Sequence, residues 1–151
     1  MRLRSPSAMI VLAVFALLAP GSVIDASAQA PRQYINGRSA SDTQALPFSG
    51  GVLVGNTLYL SGVLGGPASA TPEDAARNAM NSIRATVEAA GMTMDDLVQV
   101  QIFAADLADY AAFNAVYRTY FTREFPARAF LGAGSLLNNA RFEVLGIAVR
   151  R

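Results

Sequence analysis

The chain has 151 residues, 52% of them hydrophobic, and a formal net charge of +1, which suits one domain of ordinary size with its own core. It contains no Cys and no His, and all twelve basic residues are Arg, so Lys is absent as well. This composition excludes a thiolate nucleophile, a Ser-His-Asp relay, a lysine Schiff base and the usual zinc ligand sets. Any chemistry must therefore use carboxylates, Arg, Tyr, hydroxyls, backbone groups and water.

Residues 1–28 have the layout of a secretory signal peptide. "MRLRSPS" carries two arginines, "AMIVLAVFALLAPGSV" is apolar, and "DASAQA" supplies small residues at the spacing of a cleavage site. Cleavage after Ala28 predicts an exported protein, periplasmic or secreted, with no stable membrane insertion. The alternative is an uncleaved membrane anchor, but Pro20 interrupts the apolar run too early for a span of roughly 20 residues.

Residues 29–45 are polar, poor in aliphatic side chains and without periodicity, which predicts a flexible N-terminal arm before a domain that spans residues 46–151. From residue 29 onward the chain has ten Arg and ten acidic residues, because Arg2, Arg4 and Asp25 lie in the signal peptide. Nucleic-acid-binding proteins normally have a basic excess or stripe. We therefore expect no nucleic-acid partner.

A hairpin and a helix open the domain. "GVLVGNTLYLSG" has two short apolar runs around Gly55-Asn56, which predicts strands at residues 51–54 and 57–63. "TPEDAARNAMNSIRATVEAAG" then begins with Thr71 as N-cap and ends at Gly91, a favourable residue just past a helix terminus. Its apolar residues recur at spacings of three and four, as in an amphipathic helix.

The sequence of the second half of the domain predicts three strands and one helix, which follows the first of these strands. "LVQVQIFAAD" alternates as a half-buried strand, and two further strands are expected at residues 128–133 and 141–149. "DYAAFNAVYRTYF" predicts the helix, and we interpret its aromatic residues at helical spacing as core: Tyr110, Phe113, Tyr117 and Tyr120. The order ββαβαββ indicates a single α+β domain.

The last strand is apolar on both faces. One face of "RFEVLGIAV" carries Phe142, Val144 and Ala148, and the other carries Glu143, Leu145, Ile147 and Val149. Two helices can cover only one side of a sheet of about five strands, so the other side needs a neighbouring subunit. Glu143 is then an acid on a face that is otherwise buried.

Arg128 is the one charged residue in "FPARAFLGAG". A cation at the start of a buried strand costs several kcal/mol unless an anion meets it. The anion is either a substrate or an internal partner such as Glu143, in which case the two form a structural salt bridge.

Five segments in collinear order, "LPFSGGVLVGNTLYLSG", "VEAAG", "DLVQVQIFAADLADYAAFNAVYRTYF", "FPAR" and "FEVLGIAVRR", resemble the reactive-intermediate deaminase family, also called Rid or YjgF-like, over residues 46–151. The resemblance implies a chorismate-mutase-like α+β subunit, in which two helices pack on one face of a mixed sheet, and a homotrimer with clefts between subunits. It also implies hydrolysis of enamines and imines, such as 2-aminoacrylate and 2-imino acids, to 2-oxo acids and ammonia without a cofactor or metal.

The family's functional residues map onto this chain by motif. The arginine of "PAR", which grips the substrate carboxylate, matches Arg128, and the acid associated with the catalytic water matches Glu143. The serine of "SG" matches Ser61, and the asparagine of "FNAVY" matches Asn114. Each has a structural alternative: Glu143 as a buried acid, Asn114 as a polar residue on a helix face, and Ser61 as a turn at a strand end.

Two further substrate-binding positions depart from the family pattern. Phe48 stands where many active members have Tyr, and Phe130 is larger than the residue usual at its position. Both make the cleft more apolar. We expect this to affect the turnover of small imino acids more than the binding of their carboxylate. The alternative function is therefore a non-catalytic module that binds a small carboxylate or an amino-acid-like ligand. A ribonuclease is disfavoured by the neutral charge and the absence of His.

Overall fold

The computed structural model describes residues 30–36, 46–68 and 70–151. The predicted signal peptide and residues 37–45 of the predicted arm lie outside the described residues. No helix in the described part of the chain is both long enough and apolar enough to cross a membrane.

The described part of the chain forms six strands and two α-helices in the order βββαβαββ. The strands are β1 (Arg32–Ile35), β2 (Gly51–Val54), β3 (Thr57–Leu64), β4 (Leu97–Ala104), β5 (Ala127–Gly132) and β6 (Phe142–Val149). The helices are α1 (Pro72–Ala89) and α2 (Tyr110–Tyr117), with short 3₁₀ turns at Met94–Asp96, Leu107–Asp109, Arg118–Tyr120 and Leu137–Asn139. The predicted hairpin, helices and final strands are confirmed to within a few residues.

The strands form one mixed sheet in the order β1-β2-β3-β6-β4-β5. β4 and β5 run parallel, and every other neighbouring pair is antiparallel. α1 packs against β3 and β6, and α2 packs against α1. The predicted α+β class, with two helices on a mixed sheet, is confirmed.

The prediction of a loose arm is wrong for Arg32–Ile35. These residues form β1, which pairs antiparallel with β2 and so adds a sixth strand to the sheet. Only Ile35 is buried in this strand, at 4% exposure. A four-residue strand with one buried side chain has too few positions to show a period-2 pattern.

α1 begins and ends where its caps predict. The Thr71 hydroxyl accepts a hydrogen bond from the Asp74 backbone N–H at 3.1 Å, and Pro72 occupies the first helical position. Gly91 follows the helix with φ at +70°, a conformation that costs glycine little.

β6 has one covered face and one open face. Phe142, Val144 and Ala148 are fully buried beneath the helices, whereas Leu145 and Ile147 on the other face are only half-buried. We call this second side of the sheet the outer face. It also carries Tyr59, which is 51% exposed.

Candidate active site

An open pocket of about 220 Å³ lies where α2 faces the start of β5. The residues that line it come from the helix, from the turn after it and from the strand: Tyr110, Asn114, Tyr117, Arg118, Phe125, Pro126 and Arg128. Two of them are arginines and none is acidic, so the pocket favours an anionic ligand.

The spacing of residues along α2 builds one wall of this pocket. Tyr110, Asn114 and Tyr117 are separated by four and three positions, which places them on one face of the helix. Arg128 stands opposite, because it pairs in register with Val100, whose side chain is buried on the helix-covered side of the sheet. Strand pairing thus directs the guanidinium towards α2.

Three side chains of α2 hold Arg128. Its Nη1 donates to Oδ1 of Asn114 at 2.7 Å, and its Nη2 reaches the hydroxyl of Tyr110 at 3.4 Å. Its Cζ lies 4.8 Å from the ring centroid of Tyr117, within the range of a cation–π contact. None of the ion pairs among the described residues involves Arg128. Neutral groups therefore orient the guanidinium, and no carboxylate among the described residues balances its charge, so it can bind an anionic ligand.

Tyr117 lies deeper than its neighbours. The residue is 3% exposed, and its hydroxyl has no hydrogen-bond partner among the described residues. Burial raises the pKa of Tyr117 to about 12, and the nearby charge of Arg128 opposes that rise. The hydroxyl therefore stays protonated at neutral pH.

The interpretation of the α2 aromatics as core is confirmed for Phe113 and Tyr117 but wrong for Tyr110, which is 48% exposed and lines the pocket. Tyr120 is half-buried and packs against the core. Helical spacing shows that aromatic residues share one side of a helix, but it does not show which of them extend past the edge of the sheet and remain exposed.

Phe130 supports the pocket but does not line it. Its ring packs edge-on against Tyr110, with centroids 5.0 Å apart, and against Phe113 at 5.6 Å. In the single chain Phe130 therefore acts through Tyr110, and its predicted position in the cleft wall is not observed there.

Glu143 and Ser61 lie away from this pocket, on the outer face. Glu143 alternates with the buried residues of β6 and sits between Leu64 of β3 and Phe103 of β4 in register. The Ser61 hydroxyl donates to the carbonyl of Ser49 at 2.6 Å, and its N–H donates to the carbonyl of Gly50 at 3.0 Å. Ser61 thus fixes the segment that leads into β2.

Phe48 precedes Ser49 in this same segment and is 52% exposed. The predicted site residues consequently fall into two groups within one chain. Arg128 and Asn114 meet at the pocket, while Glu143 and Ser61 belong to the outer face, with Phe48 next to the carbonyl that Ser61 holds.

The structural salt bridge between Arg128 and Glu143 is wrong for the single chain. Arg128 projects from the helix-covered side of β5 and Glu143 from the outer side of β6, with β4 between the two strands. Strands are about 4.8 Å apart in a sheet, so the two backbones are separated by about 10 Å as well as by the sheet itself.

Five residues that line the pocket were not predicted as site residues: Tyr110, Tyr117, Arg118, Phe125 and Pro126. The cation of Arg118 lies over the ring of Phe125, with Cζ 5.8 Å from the centroid. A usable signal was present for two of them, because Tyr110 and Tyr117 share a helix face with Asn114.

Comparison with known proteins supplies the family. Residues 39–150 match the protein family described as Endoribonuclease L-PSP. A 2-iminobutanoate/2-iminopropanoate deaminase of Dermatophagoides farinae is 40% identical over 113 residues, which cover 68% of this chain and 85% of that protein.

Solved structures agree with this match. The YjgF gene product of Escherichia coli has a TM-score of 0.69 at 31% identity and covers 79% of this chain and all of its own. E. coli TdcF, solved with bound serine, has a TM-score of 0.69 at 28% identity with the same coverage. Because the family match spans residues 39–150 and these relatives are similar over most of their length, the chain belongs to the Endoribonuclease L-PSP family, which is the Rid or YjgF-like family that its sequence resembles.

Proposed function

We propose that this protein hydrolyses reactive enamine and imine derivatives of amino acids, such as 2-aminoacrylate and 2-imino acids, to 2-oxo acids and ammonia. One related protein, 40% identical, is named a 2-iminobutanoate/2-iminopropanoate deaminase. The proposal also includes export of the mature chain from residue 29 onward and its assembly as a homotrimer.

The observation that carries the proposal is the state of Arg128. Nη1 of its guanidinium donates a hydrogen bond to Oδ1 of Asn114, and no carboxylate among the described residues neutralises it. A guanidinium can hold a carboxylate through two parallel charge-assisted hydrogen bonds, each worth roughly 1.5–3 kcal/mol. A 2-imino acid has such a carboxylate next to its reactive carbon, so binding there fixes the C=N carbon in one place.

The acid that such a reaction needs must come from another copy of the chain. Glu143 lies across the sheet from Arg128, and β4 separates their strands. The outer face that carries Glu143 is apolar and open in the single chain, as a subunit interface would be. In the assembly we propose, Glu143 of one subunit faces the Arg128 pocket of its neighbour.

The chemistry then requires only a placed water. Glu143 accepts a proton from the water as the water oxygen bonds to the imine carbon, and it passes that proton to the nitrogen, which gives a tetrahedral carbinolamine. Glu143 then transfers the hydroxyl proton to the nitrogen as the C–N bond breaks, so the nitrogen leaves as ammonia with the bonding electron pair and the hydroxyl oxygen becomes the carbonyl of the 2-oxo acid. An enamine first takes a proton on carbon to become the imine.

Non-catalytic binding of a small carboxylate is the second candidate. One observation favours it: the pocket of a single chain supplies cations, an amide and phenols, all of which bind a carboxylate, but no acid or base positioned for hydrolysis. The solved TdcF structure holds the amino acid serine, a ligand with the same carboxylate.

An assay on freshly generated imino acids separates the two candidates. An amino-acid oxidase generates the imino acid in situ, and ammonia and 2-oxo acid are then followed with and without this protein. The hydrolase predicts faster release, and Arg128→Ala should remove the effect. Ligand binding by calorimetry without faster release would favour the binding module instead.

A further inference from the structure

β3 contains one extra residue opposite β6, at the Ser61-Gly62 step. Leu60 pairs with Gly146 and Val63 pairs with Val144, so three steps along β3 match two steps along β6. This is the arrangement of a β-bulge, which locally re-aims the chain and is frequent next to active sites. The bulge lies directly beside Glu143, which pairs with Leu64 one residue further on.

Gly62 leaves the space that the Glu143 carboxylate occupies. A Cβ at position 62 would overlap Oε1 of Glu143 and would stand 3.0 Å from its Cδ. The nearest atoms to that Cβ all belong to the Glu143 side chain, and none belongs to the backbone. The backbone at Gly62 also has no positive φ, so an alanine there meets no conformational penalty.

These observations distinguish Gly62 from two nearby glycines, Gly65 and Gly146, whose role is structural. A Cβ at Gly65 would lie 2.5 Å from the carbonyl oxygen of Ala75, and one at Gly146 would lie 2.6 Å from that of Gln99. Backbone cannot move aside cheaply, so those two glycines are needed for packing. A carboxylate at the end of a flexible side chain can move, and at Gly62 the three atoms nearest to an added Cβ all belong to the side chain of Glu143.

We infer that Gly62 is a positioning residue for Glu143. Because Gly62 has no Cβ, the Glu143 carboxylate can occupy the space beside the bulge in β3. In that position it is directed towards the pocket of the neighbouring subunit. This inference rests on the proposed function, since it assigns the cause of the carboxylate's placement and not the reaction itself.

The test is Gly62→Ala in the full assembled protein, with two glycine controls. Gly134→Ala is the neutral control, because a Cβ there meets nothing within 4 Å. Gly65→Ala is the packing control, because its Cβ would meet backbone. Turnover, KM, melting temperature and the crystal structure are compared for all three variants.

We expect Gly62→Ala to lower kcat by on the order of 10²-fold, as a misplacement of about 1 Å does, with KM nearly unchanged and the melting temperature close to that of the parent. Gly65→Ala should lower the melting temperature, and Gly134→Ala should change nothing. In the Glu143→Gln background, Gly62→Ala should have no further effect on kcat, because no carboxylate remains to be misplaced.

Normal kcat in Gly62→Ala while Glu143→Gln is inactive would overturn the inference and leave the proposed function intact. A parent protein without turnover would instead overturn the proposed function. The crystal structure of Gly62→Ala then still decides the positioning role, since a Glu143 carboxylate that stays in its original place would contradict it and a displaced one would support it.

Discussion

Arg128 and Glu143 lie on opposite faces of one sheet, two strands apart, and neither has an ionic partner among the described residues. A cation and an acid that find no counter-ion among the residues the structure describes are candidates for roles in an assembly. If the two act on one substrate, each active site combines the Arg128 pocket of one subunit with the Glu143 surface of another.

Arg128→Ala should abolish recognition of the substrate carboxylate without unfolding the protein. Losing two charge-assisted hydrogen bonds costs about 3 kcal/mol or more, which lowers kcat/KM by at least ~10²-fold. Arg128→Lys should restore little, because an ammonium cannot reproduce the planar fork. Melting temperatures of both variants should stay near that of the parent, and early melting with normal turnover would mean that Arg128 serves the fold.

Glu143→Gln should separate chemistry from binding. The amide keeps the shape of the side chain but cannot accept the proton of the water, so kcat should fall, and calorimetric titration with an unreactive carboxylate such as a 2-oxo acid should still give near-parent affinity. Loss of ligand affinity to the same degree as in Arg128→Ala would contradict the proposed division of roles.

Tyr117 offers a matched pair of variants. Tyr117→Phe removes a hydroxyl that has no partner among the described residues and keeps the ring beneath Arg128, so stability at neutral pH should be equal or higher and ligand affinity nearly unchanged. Tyr117→Leu also removes the cation–π contact and should weaken carboxylate binding roughly 3- to 30-fold. Equal affinity in the two variants would show that the ring does not position Arg128.

The raised pKa of Tyr117 predicts that the protein loses stability at alkaline pH. The pKa of Tyr117 rises from its ordinary value of 10.0 to about 12 in the fold, because burial favours the neutral phenol. The unfolded chain therefore ionises first as pH rises. This contribution to the free energy of unfolding is complete below pH 10.0 and is lost between there and about 12. The free energy of unfolding, measured with denaturant, should fall more steeply across that pH range for the parent than for Tyr117→Phe.

Export predicts the N-terminus of the mature protein. Mass spectrometry of protein from the periplasm or the medium should give a chain that begins near Gln29, because "DASAQA" carries the cleavage signal. A soluble protein that keeps Met1 would contradict export.

Local sequence signals account for much of the fold. Thr71, Pro72 and Gly91 define α1 because caps act within a few residues of the helix ends, and the β2–β3 hairpin follows from the turn at Gly55-Asn56. β1 was not predicted because its single buried residue, Ile35, gives no local pattern and is explained only by the pairing of β1 with β2.

Motif resemblance nominates candidate site residues but does not predict how they are arranged. Motif resemblance selected Arg128 and Glu143, yet their placement on opposite faces depends on β4 pairing with both β5 and β6. That pairing joins residues far apart in the chain, and shifting it by one residue would reverse the face of every side chain. The clearance at Gly62 depends on the same non-local register.

Mixing Arg128→Ala subunits with Glu143→Gln subunits shows whether one active site takes residues from two subunits. Each variant alone should be nearly inactive and should form trimers by light scattering. When equal amounts are co-expressed and assemble at random, about a quarter of the shared sites join an intact Arg128 to an intact Glu143, so about a quarter of the parent activity should return. Activity that stays at the level of the separate variants, in trimers shown to contain both chains, would contradict a site shared between subunits.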